Sequence, residues 1–241
     1  MNFNFKYSKN FTITNNLLDC YDYLKMSSIL DVSQEIAGRH ADLLSVGFND
    51  FIKKDLIWIV VRNKFEILKD VNQIKELDIE TGLIRPRMFE FPRDYSFKNN
   101  GEEIIRGRSV WMIYNIKEKR PVIPNDIDVL YSDDLGIYQR VRKLNTLNKD
   151  LLKFEKEYIV QFSSLDHNGH MNNTHYTDFY YDIYKPSSNE IIESFQVEYL
   201  LQCYLGDAID IFSYSFDNKR YIYGYKDDKL AFYLEVVVKI K

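Results

Sequence analysis

Apolar and polar residues alternate from Phe3 to Ile13 (Phe3, Phe5, Tyr7, Phe11, Ile13), which predicts a strand. The period then changes. Ile29, Val32, Ile36, His40 and Leu43 recur every three or four residues, and Ala37, Ala41 and Leu44 widen the stripe, so a helix is predicted from about 28 to 46. Ser27 or Ser28 can cap its start, and Gly47 stands where a C-terminal glycine cap belongs. Residues 56–68 are β-branched and aromatic, a strand. Residues 74–84, 88–97 and 103–116 predict three more, with Asn100-Gly101 as the hairpin turn between the last two. After a break the order restarts. A strand is predicted at 158–162, a helix at about 174–184, and strands at 191–201, 208–216, 219–225 and 230–240.

Both halves therefore read strand, helix, four strands. One helix per half with an antiparallel run predicts an α+β chain of two units, each a sheet wrapped around one long helix. A single α+β domain with a split sheet is the alternative. The units are expected at 1–118 and 153–241. Between them, 119–152 reads as a crossover with one short helix at most. Pro121 and Pro124 precede acidic residues (Asp126, Asp128, Asp133, Asp134), and basic ones follow (Arg140, Arg142, Lys143, Lys149).

With 45% apolar and 15% aromatic residues in 241, the chain is globular rather than disordered. A formal net charge of −4 excludes wholesale nucleic-acid binding by charge alone. The longest strongly apolar run, residues 56–61, is far short of a membrane span. Cys20 and Cys203 are too few and too far apart for a disulfide framework. The first residues lack the apolar core of a signal peptide, so the cytoplasm is the expected compartment.

Three of the four histidines, His167, His170 and His175, fall in one polar stretch before the second helix. Asn168-Gly169 signals a turn there, and Asn172 or Asn173 is the expected N-cap. Asp166, Asn168 and His170 alternate, so an extended segment would put all three on one side, facing the free N–H groups of the helix start. On its own such a loop is more often a solvated turn. Metal binding is the next possibility, but no His-x-x-x-His pair lies in one helix and both cysteines are remote, so no metal is expected. Cys203 reads as a small buried strand residue rather than a nucleophile.

The run SLDHNGHMNN at 164–173 resembles the active-site loop of acyl-acyl carrier protein thioesterases, which carry D-x-N-x-H-x-N-N there. Three further stretches resemble the family in order: residues 56–62 with Trp58, PRDYSFKNNGEEIIRGRSVWMIYN at 92–115, and VEYLLQCYLGD at 197–207. The resemblance implies two tandem hotdog units and hydrolysis of fatty acyl-acyl carrier protein to free fatty acid. It implies Asp166, Asn168 and His170 as the catalytic triplet. Where the family usually adds a glutamate, this chain has Gln202 beside Cys203, and an amide cannot accept a proton at neutral pH. Base duty then falls to His170, with Glu198 a weak substitute. Asp166 could orient the imidazole or attack the carbonyl directly, Asn168 could donate to the thioester oxygen, and the backbone near 172–174 could supply further donors.

The resemblance further places the acyl chain in the first unit, lined by the first helix (Ile36, His40) and the strand around Trp58. The acidic carrier with its 4′-phosphopantetheine arm should meet a basic face. Residues 85–120 hold nine Lys/Arg against five acids, and Arg106 and Arg108 are the expected docking residues. No cofactor, nucleic acid or membrane is expected. The chain is expected as a monomer of two similar units or a homodimer. The alternatives are a coenzyme A thioesterase of the same fold, and a protein that binds acyl groups without hydrolysing them.

Overall fold

The computed structural model describes residues 5–69, 71–72, 74–123, 129–132 and 140–241. The described chain divides into two compact units. One takes Met1–Lys25 and Ile29–Val141, the other Met26–Ser28 and Arg142–Lys241. The main division falls at 141/142, within the expected crossover. Pro124 and the acidic residues Asp126, Asp128, Asp133 and Asp134 lie outside the described residues, as do Phe3 and Asn4 of the first predicted strand.

The first unit contains β1 (Tyr7–Thr12), α1 (Met26–Leu43), the short α2 (Phe48–Ile52), β2 (Leu56–Ile67), β3 (Glu76–Leu83), β4 (Phe91–Asn99), β5 (Glu102–Asn115) and the two-residue β6 (Arg120–Pro121). Its sheet runs β1-β3-β4-β5-β2, antiparallel throughout, with β6 on β5. The predicted hairpin forms: Asn100 and Gly101 both take positive φ (49° and 82°), the type I′ geometry that matches strand twist. The apolar stripe of α1 is buried along Ile29, Val32, Ile36, Ala37 and Ala41. At its C-terminal end, Ala41 joins Val46, Phe51, Leu56, Leu83, Phe91 and Ile113 in one core, with Trp58 packed against it. Phe65 on β2 lies over Gly107 on β5, where an added Cβ would run into the ring.

The ends of α1 differ from expectation. Lys25 occupies the N-cap without a side-chain bond, so Ser27 and Ser28 sit inside the first turn. The chain turns left-handed at Ser45 (φ 56°), not at Gly47. Gly47 is extended and caps α2 instead, packed so tightly on Asp42 that a side chain would collide.

The second unit contains β7 (Lys153–Ile159), α3 (Asp178–Tyr184), β8 (Glu190–Tyr199), β9 (Ala208–Phe216), β10 (Lys219–Lys226) and β11 (Lys229–Ile240). Its sheet runs β7-β9-β10-β11-β8, the same connectivity as the first, again antiparallel. Gly224 repeats the glycine device under Phe232, and that ring meets Tyr176 and Phe179. The second helix is not long. A 3₁₀ turn at His175–Thr177 precedes the seven residues of α3. There the Thr177 hydroxyl donates to the Thr174 carbonyl (2.7 Å), a local bond that competes with helix propagation. The first strand also starts earlier than expected, because the charges of Lys153–Tyr158 mask its alternation. Phe162 lies past its end, in a 3₁₀ turn and exposed.

Residues 142–147 are tied to this second sheet. Gln196 Nε2 donates to the Arg142 carbonyl, the Leu144 N–H to Glu198, Tyr233 to the Leu144 carbonyl, and the Leu147 N–H to the Tyr223 hydroxyl. Glu198 is therefore buried and engaged, and does not stand in for a missing base. Among the described residues no helix is long and apolar enough to cross a membrane.

Candidate active site

The polar loop is a folded finger rather than an extended segment. Leu165 and Met171 bridge across it, and the Asp166 N–H donates to the His170 carbonyl (2.8 Å). Gly169 takes φ +78°, which only glycine adopts without strain, and donates to the Asp166 carbonyl. The Asp166 carboxylate organises the tip. One oxygen accepts the backbone N–H of Asn168 (2.8 Å) and of His170 (3.2 Å), and the other accepts the Asn168 side-chain amide (3.4 Å).

Three expectations change as a result. Asp166 and Asn168 meet, but the imidazole of His170 makes no hydrogen bond to Asp166; it packs edge-on against Tyr204, ring centroids 4.9 Å apart. The N–H groups of Asn172 and Thr174 are already spent, on the Ser164 carbonyl and on the Asn172 side chain, and are not open to an oxyanion. Neither Asn172 nor Asn173 is the helix cap; Asn172 closes the turn before it, Thr174 caps the 3₁₀ turn, and Thr177 takes the N-cap of α3.

The second wall of the site is residues 202–207. The Met171 N–H donates to the Cys203 carbonyl, and His170 bridges to Tyr204. In this extended stretch neighbours point to opposite sides. Cys203 points inward and is fully buried; burial pushes its thiol up, against the opposing effect of a Tyr176 hydrogen bond. That is the reverse of an activated nucleophile. Gln202 and Tyr204 point outward together, and the Tyr204 hydroxyl donates to Gln202 Oε1 (2.9 Å). Lys226 sits 5.3 Å from the centre of the Tyr204 ring, donates to the Gln202 carbonyl (3.4 Å) and pairs with Asp207, which in turn accepts the Tyr204 N–H (2.7 Å). Burial alone would raise the Asp207 carboxyl, but the Lys226 and Tyr204 hydrogen bonds and the Lys226 charge hold it below its ordinary value.

The other expected site residues belong to the first unit. Ile36 is fully buried. Trp58 stacks on Phe51 and donates its indole N–H to the Val46 carbonyl (2.8 Å). His40 is buried, with Nδ1 3.0 Å from the Arg93 guanidinium and its ring stacked on Tyr7. Arg108 is not a docking residue: it is 3% exposed and holds Asp94 with both arms of its guanidinium. Arg106 is half-exposed and paired with Glu66 (2.7 Å). The +4 balance of residues 85–120 thus overstates its surface charge, because Arg93 and Arg108 lie inside. Tyr204, Asp207 and Lys226 were missed. The i, i+2 spacing of Gln202 and Tyr204 at a strand end was the available signal; the contact with His170 needed the fold.

Two antiparallel sheets of identical strand order, each with its own helix, define a tandem hotdog protein. The acyl-ACP thioesterase N-terminal domain matches residues 4–131 and the C-terminal domain matches 148–237, so the chain belongs to the acyl-ACP thioesterase family. It is 24% identical over 216 residues to the chloroplastic palmitoyl-acyl carrier protein thioesterase of Cuphea hookeriana, covering 82% of this chain and 52% of the relative. The chain thus spans about half the length of the curated relatives it matches. Two solved structures share the fold at a TM-score of 0.84. The acyl-ACP thioesterase from Bacteroides thetaiotaomicron is 19% identical and covers 97% of this chain and 98% of its own. The 12:0-ACP thioesterase from Umbellularia californica is 17% identical and covers 99% and 98%.

Proposed function

We propose that the chain hydrolyses the thioester of fatty acyl-acyl carrier protein and releases the free fatty acid. The observation that carries this is the finger of residues 165–171, folded on Asp166 so that His170 packs on Tyr204, whose hydroxyl holds Gln202. The activities named for the relatives, palmitoyl-acyl carrier protein and 12:0-ACP thioesterase, point the same way. His170 is the general base that takes a proton from water as the water adds to the carbonyl carbon. The carbonyl oxygen gains charge, and the charge returns as the carbon–sulfur bond breaks. Asp166 already accepts three N–H groups, so its carboxylate oxygens are engaged within the loop and not free to attack a carbonyl carbon. Its role is to shape the loop.

The first unit holds the acyl chain, and the second, which carries the finger of residues 165–171, is the reacting unit. The carrier docks on the exposed cations Arg142 and Lys143 of the second unit, which take the place of Arg108. The free thiols of Cys20 and Cys203 fit a reducing compartment, and the reading keeps the protein in the cytoplasm. Steady-state hydrolysis of matched acyl-acyl carrier protein and acyl-coenzyme A tests the substrate: a clear coenzyme A preference defeats the carrier reading. Gln202 favours one second reading, an acyl-binding protein without turnover. Tight carrier binding with no fatty acid released would establish it.

A further inference from the structure

We propose that Gln202 acts as a hydrogen-bond donor to the thioester carbonyl oxygen, and that Tyr204 is the positioning residue that turns the amide into that role. This rests on the hydrolytic reading above and adds a specific part to it. A glutamine side chain has one acceptor end and one donor end. The Tyr204 hydroxyl donates to Oε1, so the acceptor end of Gln202 is turned toward the tyrosine and its NH₂ group away from it. Both residues sit on a backbone held from three directions. Met171 donates to the Cys203 carbonyl, Lys226 to the Gln202 carbonyl, and Tyr204 donates to Asp207. The buried Cys203 between them keeps the two side chains on the outer side.

The Tyr204 ring is also shared. It meets the His170 imidazole in a T-shaped contact, and Lys226 lies within cation–π distance. The candidate base and the amide are therefore placed by one aromatic side chain. In this arrangement Oε1 is engaged by Tyr204, and the NH₂ group is the open end of Gln202. Its remaining group is a donor, which suits the oxygen that becomes negative when water adds. Asn172 and Thr174 have spent their N–H groups elsewhere, so the side-chain amide supplies a donor that those two positions do not.

The experiment compares hydrolysis of acyl-acyl carrier protein by the unmodified protein, Tyr204→Phe, Gln202→Glu and the double variant. Losing one oxyanion donor lowers kcat by about 10²–10³, and loosening one should lower it by roughly 10-fold, with KM little changed. A carboxylate has two equivalent oxygens and no orientation to set, so Tyr204→Phe should leave kcat nearly unchanged in the Gln202→Glu background. Equal losses in both backgrounds, or no loss in the first, overturn the proposal. A second measurement does not depend on turnover. The ¹⁵N side-chain amide of Gln202 is followed by NMR while an acyl-pantetheine ketone, with CH₂ in place of the thioester sulfur, is added. A downfield shift of the NH₂ protons that Tyr204→Phe abolishes supports the inference. An amide pair that does not move overturns it. If the shift is seen but no fatty acid is released, hydrolysis is what fails and the donor role stands.

Discussion

His40 and His170 occupy the two units of one repeated topology, and their surroundings are opposite. His40 is on the buried stripe of an 18-residue helix, bonded to a buried arginine. His170 is on a loop before a helix of only seven residues, half-buried against an exposed tyrosine. The first unit spends its length on a long helix that completes a core. The second gives up helix length, and the residues between β7 and α3 fold into a finger held by one carboxylate. Identical strand order therefore does not distribute chemistry evenly: the unit with less helix has the room for a loop with open polar groups.

The contrast can be broken at each end. His170→Ala should lower kcat by about 10²–10⁴ with the melting temperature little changed; near-normal turnover would remove His170 from the mechanism. Arg108→Ala should act in the opposite way. It strands Asp94 in a largely buried position and should lower stability by about 3–5 kcal/mol in chemical denaturation, with KM for the carrier substrate unchanged in the folded fraction. A raised KM at full stability would return Arg108 to the docking face. His40→Ala should cost about 1–3 kcal/mol by taking an acceptor from Arg93, whose guanidinium burial already pulls below its ordinary value. If His40→Ala instead alters chain-length preference without loss of stability, it lines the acyl slot and is not merely core. Reversing Arg142 and Lys143 to Glu should raise KM for the carrier substrate several-fold at low salt and less at high salt, since exposed charges are screened.

The strands were legible because burial on one face imposes a period of two. β4 shows how much more that period contained. Phe91, Arg93, Tyr95 and Phe97 share the buried face, so the alternation itself places Arg93 inside, although its charge suggested the surface. Arg108 was harder to read, because its pairing with Asp94 depends on the β4–β5 register, which sequence spacing does not fix. In the site, Asp166, Asn168 and His170 stood out as a polar motif, but the spacing implied a row and the glycine at 169 makes a finger. Tyr204 and Lys226 are distant from the motif along the chain and join it only because residues 170–171 lie against 203–204.

The pair that steadies Tyr204 also has a pH signature. Asp207 is held below its ordinary carboxyl value, and Lys226 is raised above its ordinary amine value by the Asp207 hydrogen bond and charge. A depressed acid contributes stability that is complete above its unfolded pKa of about 3.9 and is lost as pH falls through the lower folded value. A raised base contributes stability that is complete below its unfolded pKa of about 10.4 and is lost as pH rises through the higher folded value. The pair is therefore at full strength from about pH 4 to about pH 10. Both side chains are only about one-fifth exposed (21% and 23%), and the pair should contribute roughly 1 kcal/mol. Lys226→Met should lower the melting temperature by a few degrees in that window. The gap to the unmodified protein should narrow as pH falls below about 4, because protonating Asp207 removes the same interaction. The variant should also loosen the Tyr204 ring and move kcat in the direction of Tyr204→Phe, by a smaller factor. A melting gap that persists undiminished in strong acid would mean that Lys226 stabilises the loop through its methylene packing, not through Asp207.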